Sequence, residues 1–320
     1  MTSQHSNQAC PVCGGSVTTS FANARDVEYY TSDTIYLYLE CAQCRSVFLD
    51  NPPVDQLDKI YPSNYYSYAP SPQLTSLTER VKSFLDARLF RILLKQLPGD
   101  RLRMLDVGGG SGWLLSTLKK VSPRVAETHE IDINERARAE AEAAGHTFHC
   151  GRVEDFQSEE KFDLILLLNL IEHVANPAAI LRRMQGLLSP DGLILIKTPN
   201  VDTLDCRIFR HHNWGGFHCP RHFVLFKRES LLALGTRCGL QTGEASYTQG
   251  APQWACSILG IMGLKGWLNI SAERPLYSHP LYAVTCAIAA AFDLARLPFM
   301  PTAQMFVVFR RAKDKMLDSN

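Results

Sequence analysis

Between residues 104 and 112 the apolar segment Met104-Leu105-Asp106-Val107 runs into Gly108-Gly109-Gly110-Ser111-Gly112 and then into Trp113-Leu114-Leu115. Glycines allow a tight turn and let a ligand reach the peptide groups, and a helix opening there offers free N–H groups to that ligand. Twenty residues beyond Gly112 stands Asp132, at the end of a second apolar run, where an acid can take ribose hydroxyls. The pattern predicts a pocket for a nucleotide-like cofactor. Upstream, Cys10-Pro11-Val12-Cys13 and Cys41-Ala42-Gln43-Cys44 form two pairs 27 residues apart. Twin knuckles predict a four-thiolate zinc site, closed to substrate, that folds a ribbon over residues 1–50. A redox dithiol would explain one pair and leave the other without a role. The other six cysteines show no paired spacing and read as ordinary buried residues.

These groups need elements to hold them. Strand-like and helix-like periods alternate: 103–107, 112–120, 125–131, 134–144, 162–168, 178–188 and 193–197, then a helix at 229–238 and strands at 240–247 and 305–310. Such alternation predicts a doubly wound α/β sheet with mainly parallel strands. Leu74, Leu77, Val81, Phe84, Leu85, Leu89, Ile92 and Leu93 recur at three- and four-residue spacing, predicting a helix that covers one edge of the cleft. Residues 51–72 form a linker rich in proline and tyrosine. Its tyrosines either pack between two units or line an acceptor pocket, and both readings stand. Residues 252–300 form an insertion with two apolar stretches, the second too short to span a bilayer. It packs on the body or at a dimer interface, or it dips into a membrane surface.

Further residues distinguish among cofactor-binding folds. Phe162-Asp163 leads through apolar residues to Asn169-Leu170-Ile171-Glu172-His173-Val174, and Leu187-Leu188-Ser189-Pro190-Asp191-Gly192 leads to Thr198-Pro199-Asn200. Together with the glycine loop, this series resembles the class I S-adenosylmethionine-dependent methyltransferases over residues 73–247 and a last strand near 305–310. With the ribbon and the tyrosine segment, the layout resembles the sugar C- and O-methyltransferase branch. The resemblance implies a Rossmann-like sheet of seven strands with S-adenosyl-L-methionine as cofactor and a structural zinc. Asp106 would organise the glycine loop, Gly108, Gly110 and Gly112 would shape it, and Asp132 would hold the ribose. Asp155, in Glu154-Asp155-Phe156, would meet the adenine and Asn169 the methionine portion. Members often carry cysteine or another small residue at Gly109, and glycine there is expected to relax the loop.

Methyl transfer to a hydroxyl or carbon acid needs a proton acceptor. The segment His211-His212-Asn213-Trp214-Gly215-Gly216-Phe217-His218-Cys219-Pro220-Arg221-His222 follows a strand end on the carboxyl side of the sheet. By the resemblance His222 is the expected base, with His173 as a second. Arg221 replaces the acid found there in sugar C-methyltransferases, and is read as a two-pronged clamp for an anionic acceptor. Tyr65 and Tyr66 are read as acceptor contacts. His211, His212, His218 and Cys219 match no familiar metal spacing.

A formal net charge of +1 disfavours nucleic acid as partner. The polar N-terminus lacks the apolar core of a secretory signal, so a cytoplasmic location is expected, with contact at the inner face of a membrane left open. The acceptor is expected to be a small molecule or glycan, a nucleotide- or lipid-linked sugar in the first reading. Methylation of a lipid or quinone-type aromatic, or a binding protein without turnover, are the alternatives.

Overall fold

The structure, a computed structural model, describes residues 8–68 and 77–312. Strands β1 (Thr18–Ala24), β2 (Tyr36–Cys41) and β3 (Val47–Leu49) open the chain as an antiparallel meander. A single turn, α1 (Leu57–Ile60), and helix α2 (Leu77–Leu94) lead into β4 (Leu102–Val107), α3 (Trp113–Val121), β5 (Val125–Asp132), α4 (Arg138–Ala143) and β6 (Thr147–Cys150). Then come β7 (Phe162–Leu168), α5 (Pro177–Leu187), β8 (Leu188–Pro199), α6 (Leu204–Phe209), β9 (Val224–Leu225), α7 (Arg228–Arg237) and β10 (Leu240–Thr248). A helical hairpin, α8 (Ala251–Leu264) and α9 (Pro280–Arg296), precedes the last strand, β11 (Gln304–Arg311).

Seven strands form one sheet in the order β10-β11-β8-β7-β4-β5-β6, in which β11 runs antiparallel to both neighbours. The expected Rossmann-like architecture is therefore present. Its centre follows from composition: Leu164 to Leu167 and Leu193 to Ile196 are fully buried, as continuous apolar runs covered on both faces must be. The chain turns from one half of the sheet to the other beside β4, whose neighbours are β5 and β7, and at such a reversal a crevice opens at the strands' carboxyl ends.

Helix α2 departs from the expectation. Phe90, Leu93 and Leu94 face the core, whereas Val81, Phe84, Leu85 and Ile92 are exposed, and no described side chain of α2 lines the cleft; Leu74 and the Leu77 side chain lie outside what is described. The insertion folds as two packed helices. α8 is largely buried, but α9 shows solvent an uncharged face with Val284, Ile288 and Phe292, because its only ionic side chains, Asp293 and Arg296, turn inward and pair at 2.8 Å. Among the described residues no helix is long and apolar enough to cross a membrane.

The ribbon sheet has a fourth strand, drawn from far along the chain. β9, which follows the histidine loop, pairs with β3 (Phe48↔Val224, Val47↔Leu225), and the next residue, Phe226, bridges to Asn200 at the end of β8. Tyr38 of β2 stacks on Phe217 with centroids 4.4 Å apart, and ribbon residues share one apolar core with the large sheet. Between β1 and β2, Asp26 accepts N–H groups of Glu28, Tyr29 and Thr31 and meets Arg221 Nη2 at 2.8 Å, with both side chains fully buried.

Burial alone would raise the Asp26 pKa. The Arg221 charge and hydrogen bonds outweigh it and hold the carboxyl below its ordinary 3.8. A depressed pKa stabilises the fold above the unfolded value and loses that contribution as pH falls through the folded one. Asp26→Ala leaves a buried guanidinium without its counter-charge and should cost about 3–5 kcal/mol at neutral pH, a loss that shrinks on acidification. Urea titrations at neutral and acidic pH measure this, and a loss below about 1 kcal/mol would refute a structural role for the pair.

Candidate active site

The carboxyl ends of β4, β5, β6 and β7 open into one cleft of about 250 Å³. The strand ends contribute Gly108, Asp132, Ile133, Val153, Glu154, Asn169 and Leu170. The loops contribute Tyr61, Tyr65, Tyr66, Tyr68, His173, Val174 and Phe223.

Gly108 has φ +76°, and a side chain there would press on Leu170, so bare backbone faces the cleft. Gly109 overturns the expectation of a relaxed loop. A Cβ at that position would stand 2.3 Å from Asp106 Oδ2 and 2.5 Å from Glu130 Oε2, so packing demands glycine. The Gly109 N–H donates to Glu130 Oε1 at 2.7 Å. Gly110 N–H donates to Asp132 Oδ2 at 2.9 Å and Asn134 N–H to Asp132 Oδ1 at 2.8 Å, which fixes the Asp132 carboxylate at the cleft wall. Gly112 caps α3 in the left-handed conformation.

Asp106 lies behind this wall, buried. Burial first and the Asp132 charge second push its carboxyl up to about 7. Glu130, which sequence reasoning passed over, is pushed well above its ordinary range by burial and then by Asp106. Asp106 Oδ2 and Glu130 Oε2 have no hydrogen-bond partner among the described residues. The signal for Glu130 was alternation: two residues before Asp132 on one strand puts it on the same face, and it pairs with Asp106 across β4 and β5.

Asn169 ends β7 with φ +55° and lines the cleft. Asp155 does not. It is exposed and its N–H closes a turn to Arg152 O, whereas its neighbour Glu154 reaches the cleft.

Tyr65 and Tyr66 both line the cleft, with rings 4.7 Å apart, and Tyr61 packs edge-on against Tyr65. Tyr61 Oη lies 2.9 Å from His173 Nδ1, which also faces the Arg221 carbonyl at 3.0 Å; that acceptor assigns the ring proton to Nδ1. Burial first and His218 second push His173 down to about 3. His222 stands one layer deeper, edge-on to His173 at 4.7 Å and outside the cleft lining. Its Nδ1 faces the Gly216 carbonyl at 2.8 Å and its Nε2 lies 4.0 Å from Glu172 Oε1. Glu172 is fully buried, accepts from Thr198 Oγ1 at 2.9 Å, and is pushed up to about 8 by burial.

Arg221 is corrected outright as an acceptor clamp. Its guanidinium is fully buried, with Nη2 on Asp26, Nε on the Ile60 carbonyl and Nη1 on the Cys219 carbonyl, which leaves no fork for a ligand.

A family profile described as a methyltransferase domain matches residues 78–244, more than half of the chain. The chain belongs to that family. It is similar to the ubiquinone biosynthesis O-methyltransferase of Bradyrhizobium sp., 31% identical over 172 residues that cover 49% of this chain and 66% of that one. It is also similar to the protein of the same name from Cereibacter sphaeroides, 33% identical over 132 residues that cover 40% and 52%. The match thus spans less than two thirds of these relatives' length. Among solved structures, coclaurine N-methyltransferase bound to N-methylheliamine and S-adenosylhomocysteine superposes with a TM-score of 0.51 at 14% identity, covering 81% of each chain, a likeness of fold.

Ahead of the matched domain, the ribbon carries a four-cysteine cluster. Cys10 Sγ lies 3.6 Å from Cys44 Sγ and Cys13 Sγ 3.5 Å from Cys41 Sγ, and all four sulfurs lie within 4.8 Å of one another. Thiolates around a tetrahedral zinc stand about 3.8 Å apart, so the donor set fits that ion. It would supply cross-linking to a short three-stranded meander and no chemistry at the distant cleft. Purified protein should contain one zinc per chain, and chelation or Cys41→Ser should release it and loosen the ribbon. Elemental analysis with circular dichroism checks this, and a metal-free protein with an intact fold would contradict it.

Proposed function

We propose that this methyltransferase uses S-adenosyl-L-methionine to methylate a hydroxyl of a small acceptor with a flat ring. One observation carries the reading: a single cleft joins the glycine loop and Asp132 to a wall of four tyrosines with His173 among them. When bound, S-adenosylmethionine supplies an electrophilic methyl carbon. Asp132 would accept from the ribose hydroxyls through a carboxylate already oriented by two N–H groups. Bare backbone at Gly108 admits close approach, Asn169 would face the methionine portion, and Glu154 beside Val153 the adenine.

The tyrosines offer rigid flat area that stacks on a ring, aligns its hydroxyl and displaces water, which is most of what an in-line displacement asks of a protein. His173 at the cleft, with His222 behind it, is held neutral by burial, so its ring can hydrogen-bond the acceptor without bringing charge. Quinone-type aromatic acceptors gain support from the names of the relatives. A nucleotide- or lipid-linked sugar remains the second reading, because ribbon and tyrosine segment occur together. The uncharged outer face of α9 suits a bilayer that delivers an apolar acceptor.

The test supplies methyl-labelled S-adenosylmethionine with 3,4-dihydroxybenzoate, with a catechol on an isoprenoid tail in phospholipid vesicles, and with nucleotide sugars. Label should enter a catechol, faster from vesicles for the tailed one, and Tyr66→Ala should raise KM roughly threefold to tenfold. Label in a sugar alone would select the second reading, and cofactor binding without labelled product would support a binding protein.

A further inference from the structure

We propose that the acceptor's proton leaves through a relay, Tyr65 to His218 to Glu28, whose carboxylate is delivered by the ribbon; this rests on the methyl-transfer reading above.

Three histidine rings cluster behind the tyrosine wall: His173 and His222 at 4.7 Å, His218 and His222 at 5.1 Å, His173 and His218 at 6.1 Å. They differ in what faces their protonated nitrogen. His173 and His222 have backbone carbonyls, which fix a tautomer but bring no charge. His218 Nδ1 has Glu28, with both carboxylate oxygens at 3.0 Å. An imidazole backed by a carboxylate can become an imidazolium in a buried place, whereas one backed by a carbonyl is held neutral by desolvation. The ring best equipped to take a proton is therefore neither histidine singled out by the sequence.

Nε2 of His218 lies 3.1 Å from Tyr65 Oη. With Nδ1–H donating to Glu28, Nε2 is an acceptor and the phenol donates to it. Tyr65 also lines the cleft, and the relay requires its oxygen to accept from an acceptor hydroxyl there. In the step, the acceptor oxygen forms its bond to the methyl carbon as the carbon–sulfur bond breaks, with the electron pair staying on sulfur. The hydroxyl proton passes to Tyr65 Oη while the Tyr65 proton passes to His218 Nε2, and Glu28 balances the new charge.

The backbone supports placement. His218 is held at φ +38°, ψ +43°, a left-handed conformation unusual outside glycine that persists only where surroundings enforce it. Glu28 sits on the loop that Asp26 anchors to Arg221, and its own N–H donates to Asp26. The other ionisable groups packed around the pair are Tyr29, Tyr66, His173, His222, Arg221, Cys256 and Tyr282. Arg221 is the fixed cation among them, and Asp26 already matches it.

Glu28→Gln keeps the shape and an oxygen for Nδ1–H but removes the charge. With 3,4-dihydroxybenzoate, kcat should fall roughly a hundredfold with little change in KM or in S-adenosylhomocysteine affinity, and the pH profile of kcat should move. Tyr65→Phe should fall comparably, and the double variant no further than either single. A second arm needs no acceptor: histidine-selective nitrogen NMR of the full chain should show a far-downfield His218 Nδ1 proton that Glu28→Gln abolishes. Unchanged kcat and pH profile in well-folded variants, or a His218 resonance indifferent to Glu28, would overturn the relay. If the wild type labels no acceptor, the functional reading fails by itself and the relay with it, while the NMR arm shows separately whether Glu28 backs His218.

Discussion

The layer behind the tyrosine side of the cleft depends on one buried ion pair. Asp26 and Arg221 come from opposite ends of the chain's logic, a loop of the ribbon and a loop beyond the fifth strand of the doubly wound half, and neither sees solvent. Such a pair contributes little net stability against an apolar replacement, but removing one partner strands the other. Here it acts as a register pin. With it in place, Tyr29 lies beneath the guanidinium at 4.4 Å, β9 completes the ribbon sheet, and Glu28 reaches His218.

That pin gives a four-cysteine ribbon a purpose beside this domain. A closed four-thiolate ion has no access to substrate. Held by the four cysteines, it would fix a short meander whose core residues are shared with the large sheet, so that the β1–β2 loop presents Asp26 and Glu28 in a defined place. The ribbon stands behind the site: its Tyr29 packs on Tyr65 and its Glu28 meets His218, and the tyrosine segment in front of them lines the cleft. Across the cleft, Asp132 and Gly108 sit at strand ends, where the sheet sets their position without help from the ribbon.

Much of this was legible in the sequence, for identifiable reasons. The glycine loop, Asp132 and the alternation of apolar runs are local signals, and local signals survive into the fold. The cysteine pairs were legible because ligand spacing is itself a local constraint. Errors came where the outcome depended on a partner far away in the chain. Arg221 reads as an anion clamp until Asp26, 195 positions earlier, claims it. His218 lacked a neighbour in sequence to mark it, and its partner Glu28 is 190 positions away. Asp155 and Glu154 are adjacent, so choosing between them required the turn geometry. Gly109 reads as permissive only while Glu130 is overlooked.

The central claim is that the cleft beside Gly108 and Asp132 is a nucleoside-cofactor site of the methyltransferase kind. Calorimetric titration of the full chain with S-adenosylhomocysteine and, separately, with NAD tests it most directly. The account predicts micromolar binding of the first, none of the second, and loss of binding in Asp132→Ala with the fold intact. Equal affinity in Asp132→Ala, or binding of NAD alone, would contradict it.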